Sequence, residues 1–132
     1  MCGFLACFKI KNTSKVNFEL FQKALDVQKM RGPDFSKVIS EDNYFLGHNR
    51  LSILDQDPRS NQPYNKNKYF SLIYNGEIYN ISELREFLFT HKIYLESNCD
   101  TEILYELLIN FGIERTMSLI EGMYAFVFID KK

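Results

Sequence analysis

Short apolar stretches separated by polar turns organise this chain of 132 residues. GFLACFKI (3–10) is apolar and aromatic-rich, the pattern of a buried strand. Phe18, Phe21 and Leu25 recur at helical spacing and predict a helix over 17–29. It should stop before Gly32-Pro33, because the residue ahead of a proline is driven away from helical backbone. YFLGHNRLSIL (44–54) predicts a strand, followed by the strong turn chemistry of Asp55-Gln-Asp-Pro58. YFSLIYN (69–75) predicts another, from its aromatic and β-branched content. Asn80-Ile-Ser-Glu83 has the form of a capping box with Asn80 as N-cap, and Leu84, Phe87 and Leu88 mark the apolar face behind it. A further helix starts at Asp100-Thr-Glu and carries Ile103, Leu104, Leu107, Leu108 and Phe111. GMYAFVFID (122–130) is almost continuously apolar, as a strand covered on both faces would be. The order β-α-β-β-β-α-α-β, with hairpin-like neighbours in the centre, predicts an α+β fold. The last strand ends two residues before the sequence does, with nothing to cover it, so the sequence reads as cut short.

This length suits one domain with a single core. Tryptophan is absent, but 12 Phe and 8 Tyr supply the bulk a core needs. Sixteen basic and 17 acidic residues leave a net charge of −1 without a run of like charges, which argues against nucleic-acid or membrane-surface binding through bulk charge. Cys2, Cys7 and Cys99 are an odd number and form no C-x-x-C; with only His48 and His91 beside them, no metal site is expected. No signal segment and no apolar run of ~18 residues occurs, so a reducing cytoplasm is the expected location.

Four stretches hold residues with chemical potential. Cys2 directly follows the initiator methionine, which aminopeptidases remove when the next side chain is small. Its thiol and freed α-amine would then share one residue. Their reference pKa values, about 8.5 and about 8, make proton transfer between them nearly isoenergetic, so one residue would carry both nucleophile and base. With Met1 retained, that base is an amide and is lost. The plain alternative is a small apolar residue opening a strand, and composition alone favours it. In YNGEIYN (74–80), Asn75-Gly76 is either a tight turn or a pair of oxyanion donors, the Asn75 amide and the Gly76 N–H, with the missing Cβ letting a substrate approach. In GHNRLSILD (47–55), alternation puts His48 and Arg50 on one strand face. Arg50 is either a two-pronged carboxylate clamp or an exposed edge charge, and His48 reads as a structural histidine. In SNCDTEIL (97–104), Asp100 is a helix N-cap that could also face a cationic group.

The order and spacing of these stretches resolve more than any one of them. MCG at the N-terminus, RGPD (31–34), GHNRLSILD (47–55), NQPY (61–64), YNGEIYN (74–80), DTEIL (100–104) and GMYAFVFID (122–130) resemble the class II glutamine amidotransferases. RGPD and NGEIYN are similar to the asparagine synthetase type. Seven colinear blocks span essentially the whole chain. The resemblance implies an N-terminal-nucleophile hydrolase fold, a four-layer α/β/β/α sandwich, and a glutaminase that yields glutamate and ammonia. It implies Cys2 as nucleophile, with Asn75 and the Gly76 N–H as the oxyanion hole. Arg50 would bind the glutamine α-carboxylate and Asp100 the α-ammonium. The backbone of Leu51, Ser52, Ile53 and Leu54, together with Glu77, would complete the pocket, supported by Arg31 and Asp34.

The implied partners are L-glutamine, a synthetase domain or subunit accepting the ammonia, and, as an option, a second copy in a homodimer. No cofactor is implied in this chain; ATP and Mg belong to the synthetase domain, whose Ser-Gly-Gly loop is absent from these residues. The family's amidotransferase domain runs some tens of residues further, so residues 1–132 are expected to be an incomplete one. Two local departures bear on the RGPD loop: Met30 stands where the family has His, and Lys37 where it has Gly. A different class of function is an inactive relative that only binds glutamine or a partner. Such a chain would be expected to lack Cys2, Asn75 or Asp100, and all three are present.

Overall fold

The predicted order of elements is the observed one in a computed structural model, which describes residues 2–9, 17–53 and 57–132. The strands are β1 (Gly3–Phe8), β2 (Phe35–Ser40), β3 (Tyr44–Arg50), β4 (Phe70–Ile78) and β5 (Gly122–Asp130). The helices are α1 (Phe18–Val27), α2 (Ile81–Thr90) and α3 (Asp100–Leu119). Strands β1, β3 and β2 form one antiparallel sheet in that order, and β4 and β5 form a second.

Alternation along the strands decides what each face meets. On β3, Phe45 packs edge-on against Phe18 and Phe21 of α1, and the Asn49 amide donates to Leu25 O at 2.8 Å. The other face, with Tyr44 and Leu46, joins Ile73 of β4 in an apolar cluster flanked by Phe4, Ala6 and Ile39. The two sheets therefore meet through these side chains. On β4 the alternate residues Phe70, Leu72, Tyr74 and Ile78 turn to the larger core, built with Leu84 and Leu88 of α2 and Ile103, Leu104 and Leu107 of α3. Thus α1 lies against the first sheet, and α2 and α3 against the second.

Several local expectations change on contact with the structure. The helix predicted over 17–29 ends at Val27 and gives way to a 3-10 turn at Lys29–Arg31, still ahead of Gly32-Pro33. The strands predicted to reach Ile10 and Leu54 end at Phe8 and Arg50; Ile10, Leu54, Asp55 and Gln56 lie outside the described residues. Asn80 does stand at the N-cap of α2, but its side chain makes no cap bond. It donates instead to Leu119 O (2.8 Å) and accepts from Glu121 N (2.9 Å), tying the start of α2 to the start of β5. Strand β5 is covered on both faces only in part. Phe126 and Phe128 pack on the large core and Val127 and Ile129 on the small one, yet all are only half-buried, and Met123 is 63% exposed.

His48 is fully buried, and its Nε2 lies 3.1 Å from Tyr74 O. Burial lowers its pKa from 6.5 to about 4. The ring is therefore neutral at physiological pH and ties β3 to β4, the structural role expected of it.

Candidate active site

The cleft opens where β1 begins and β3 ends. Antiparallel pairing puts Gly3 opposite Asn49, so Cys2 falls level with Arg50 and next to Leu51. Cys2 shares the face of Phe4 and Ala6, toward the second sheet. The Leu51 N–H donates to Cys2 Sγ at 3.3 Å. A backbone donor on the sulfur fixes its direction in the cleft.

The RGPD loop holds this corner. Arg31 Nε donates to Cys2 O at 3.1 Å, the Asp34 N–H to Arg50 O at 3.0 Å, and the Ser52 N–H to Asp34 Oδ2 at 2.7 Å. A Cβ at Gly32 would stand 2.1 Å from Asn49 O, so only glycine lets the loop lie on β3. The two departures from the family pattern do not disturb this. Met30 points to solvent, and Lys37 is an exposed β2 residue paired with His48.

Arg50 is not an edge charge: it is 6% exposed, and its Nη1 donates to Asn61 Oδ1 (2.7 Å) and Asp57 O (3.1 Å). Nor is Asn75-Gly76 a turn. Both residues lie inside β4, paired with Ala125 and Tyr124. The absence of a side chain at Gly76 serves strand packing, because a Cβ there would stand 2.3 Å from Met123 O and 2.6 Å from Tyr124 Cα. Gly76 therefore serves packing against β5 while also lining the cleft.

Asp100 is also reassigned. Cys99 occupies the N-cap and makes no side-chain cap bond, while Asp100 is the first helical residue. Its carboxylate accepts from Tyr74 Oη at 2.8 Å and lies 3.6 Å from Cys99 Sγ. It is 6% exposed, and burial raises its pKa, with the bonds from Tyr74 and Cys99 opposing only in part. The Tyr74 phenol is pushed far above its ordinary range by burial and by the Asp100 charge, which makes it a donor at any working pH.

These residues line one cleft of about 170 Å³: Cys2, Arg50, Asn75, Gly76, Glu77 and Asp100 all face it, as do Leu51 and Ile53. Among the predicted pocket residues, Ser52 is held by Asp34 and does not line it, and Leu54 lies outside the described residues. Cys99 lines the same cleft, but burial pushes its thiol pKa up, so of the two cysteines Cys2 is the better candidate nucleophile. Sequence reasoning assigns no role to Tyr74, Gln62 or Thr101, which also line the cleft. For Gln62 the signal was in hand, since NQPY is one of the seven colinear blocks. Among the described residues no group of three His, Cys, Asp or Glu side chains converges as a metal centre requires, and no helix is long and apolar enough to cross a membrane.

Comparison with known proteins places the whole chain among relatives. Residues 1–132 match the family described as the glutamine amidotransferase domain. All 132 residues align at 33% identity with an asparagine synthetase [glutamine-hydrolyzing] from Triphysaria versicolor, covering 22% of that protein. Asparagine synthetase B [glutamine-hydrolyzing] of Escherichia coli (strain K12) is 35% identical over 135 aligned residues, which cover 24% of it, and a second asparagine synthetase of Oryza sativa subsp. japonica is 33% identical. The chain spans less than a quarter of the length of each of these relatives. With all 132 residues matched, this chain belongs to the glutamine amidotransferase domain family.

Proposed function

We propose that this chain is a glutaminase domain that releases ammonia from L-glutamine for an asparagine synthetase-like reaction. The observation that carries the reading is that Cys2, Arg50, Asn75, Gly76 and Asp100, drawn from four separate elements or their ends, line a single small cleft. After loss of Met1, the α-amine of Cys2 takes the thiol proton and the sulfur attacks the side-chain amide carbon of glutamine. The carbonyl electron pair moves to oxygen, where the Asn75 amide and Gly76 N–H donate to it; one such donor typically contributes about 2.7–4 kcal/mol. The oxyanion collapses, and the amine returns its proton to the departing ammonia. Water then attacks the γ-glutamyl thioester, giving up a proton to the amine, and glutamate leaves as the thiol is restored. Arg50 reads the α-carboxylate and Asp100 the α-ammonium, so free glutamine is preferred over a glutamine inside a peptide.

The packing of α1 on one sheet and of α2 and α3 on the other supports the four-layer α/β/β/α arrangement of N-terminal-nucleophile hydrolases. Ammonia acceptance, with ATP and Mg, is assigned to a synthetase domain or subunit beyond these 132 residues, and the glutaminase step itself calls for no cofactor. A cytoplasmic location and a homodimer complete the proposal.

Intact mass combined with labelling by a glutamine-analogue electrophile tests the reading. Loss of Met1 and one adduct on Cys2, blocked by L-glutamine, is the expected result. Met1 retained in folded protein, or labelling that glutamine leaves untouched, sinks it.

Asp100 adds a pH dependence. Its pKa is raised in the folded chain, so the carboxylate that would pair with the α-ammonium is lost as pH falls through that raised value, above the ordinary 3.8. The KM for L-glutamine should therefore climb on acidification at a higher pH than an ordinary Asp would give. In Asp100→Asn the KM should be raised at every pH and flat across that range. A variant KM that follows the wild-type profile would assign the titration to another group.

A further inference from the structure

We propose that Gln62 is a positioning residue that sets the distance between the two ends of the substrate site, an inference that rests on the glutaminase reading above. Residues 61 and 62 are consecutive, and both side chains are engaged. The Asn61 carbonyl oxygen accepts from Arg50 Nη1 at 2.7 Å. Gln62, 4% exposed, accepts at Oε1 from the Tyr74 N–H (2.6 Å) and donates from Nε2 to Thr101 Oγ1 (3.2 Å).

The first of those bonds completes an edge. On the edge away from β5, strand β4 pairs among the described residues only at Leu72, which exchanges backbone bonds with Tyr64 in both directions (2.7 and 2.9 Å). Two residues further on, Tyr74 N points to the same edge, and the Gln62 oxygen takes the place of the next carbonyl. Tyr74 immediately precedes the oxyanion pair Asn75-Gly76. The second bond reaches α3 immediately after Asp100. Since Tyr74 Oη donates to Asp100, a closed ring results: Gln62 to Tyr74 N, Tyr74 Oη to Asp100, the peptide link to Thr101, and Thr101 back to Gln62. Within it Asp100 is tied to the strand that carries Asn75, and through Asn61 the same loop is tied to Arg50.

An amide is the side chain this position calls for. It supplies a neutral acceptor for Tyr74 N and a donor for Thr101, without adding a second buried negative charge beside Asp100. Leucine, close in size, does neither. The span matters because glutamine is bound by its α-groups at one end and attacked at the other, so a shift of ~1 Å at Asp100 or Arg50 carries the amide carbon away from the sulfur.

Steady-state L-glutamine hydrolysis by the unmodified chain, Gln62→Leu, Thr101→Val and the double variant tests this, alongside alkylation of Cys2 by iodoacetamide, which reads neither α-group. Each single variant should lower kcat/KM by about 10- to 100-fold, in kcat as well as in KM, with the alkylation rate unchanged. The double variant should be no worse than Gln62→Leu, because that substitution already cuts the link to Thr101. Thr101→Val keeps the side-chain shape, so it tests the link even where Gln62→Leu impairs folding. Unchanged kcat/KM in Thr101→Val, or losses that multiply in the double variant, overturns the proposal while the glutaminase reading stands. An unmodified chain that hydrolyses no glutamine overturns that reading, and this one with it.

Discussion

Cys2→Ala is expected to abolish ammonia release from L-glutamine, a loss on the order of 10⁴–10⁶-fold in kcat, with little change in stability. The folded chain invests little in this sulfur. At a half-buried position it accepts from Leu51 N at 3.3 Å and makes a long, weak bond to Leu51 O at 3.8 Å. Losing both costs about 1 kcal/mol or less, which moves Tm by only about 3–6 °C in a chain of this size. Alanine is small enough for Met1 still to be removed, so the α-amine remains and only the nucleophile is gone. The complementary variant keeps the nucleophile and removes the base: an N-terminal extension that cannot be cleaved leaves the thiol but turns the amine into an amide. General-base catalysis is typically worth 10²–10⁴-fold, so its rate should fall by roughly that factor. Full activity with the extension in place would show that the base is not the α-amine. Ammonia release by Cys2→Ala would move the nucleophile elsewhere.

Glu102→Gln is expected to lower stability by about 1–3 kcal/mol, the usual cost of mispairing a buried hydrogen-bonding group, because Lys66 keeps its second partner, Glu106, at 2.8 Å. The Glu102 side chain is fully buried and forms an ion pair with Lys66 Nζ. Its Oε1 also accepts from Glu96 N (3.0 Å), and its Oε2 from Ser97 N (2.7 Å) and Ser97 Oγ (2.6 Å). With acidic character on both oxygens, every partner is a donor. A glutamine would set its own NH₂ against one of them. Burial opposes the charge, but the bonds from Lys66 and Ser97 outweigh it and hold the Glu102 pKa below 4.5. A depressed folded pKa stabilises above the unfolded value and is lost as pH falls through the folded one. Denaturation curves of the two proteins should therefore stay separated at neutral pH and converge below about pH 4.5. Equal stability at pH 7 would show that the pair contributes nothing. The affected residues lead directly into Cys99 and Asp100, so the KM for L-glutamine should rise in the same variant.

How far the sequence could be read depended on which physics governed each position. Helices and strands marked by their own periodicity, such as Phe18–Phe21–Leu25 or the YFSLIYN run, stand where they were expected. Boundaries and caps did not follow, because a polar side chain takes the partner that tertiary packing brings nearest. Asn80 has the form of an N-cap, yet it bonds to Leu119 and Glu121, about forty residues away. Asn75-Gly76 is a strong turn signal locally, but the pairing of β4 with β5 runs straight through it. GMYAFVFID promised burial on both faces from hydrophobicity alone, whereas its exposure depends on what lies across it, and that is not encoded within the strand.

The sequence by itself determined the α+β order of elements, the colinear blocks that place the chain in the glutamine amidotransferase family, and the identity of the chemically capable residues. Residue type and spacing are local quantities, and these conclusions need nothing more. Only the tertiary structure decided that Arg50 is buried against Asn61, that Asp100 is held by Tyr74 rather than capping its helix, and that Gln62 links β4 to α3. Each of these is a contact between residues 11 to 39 positions apart, formed only when the two sheets and their helices pack.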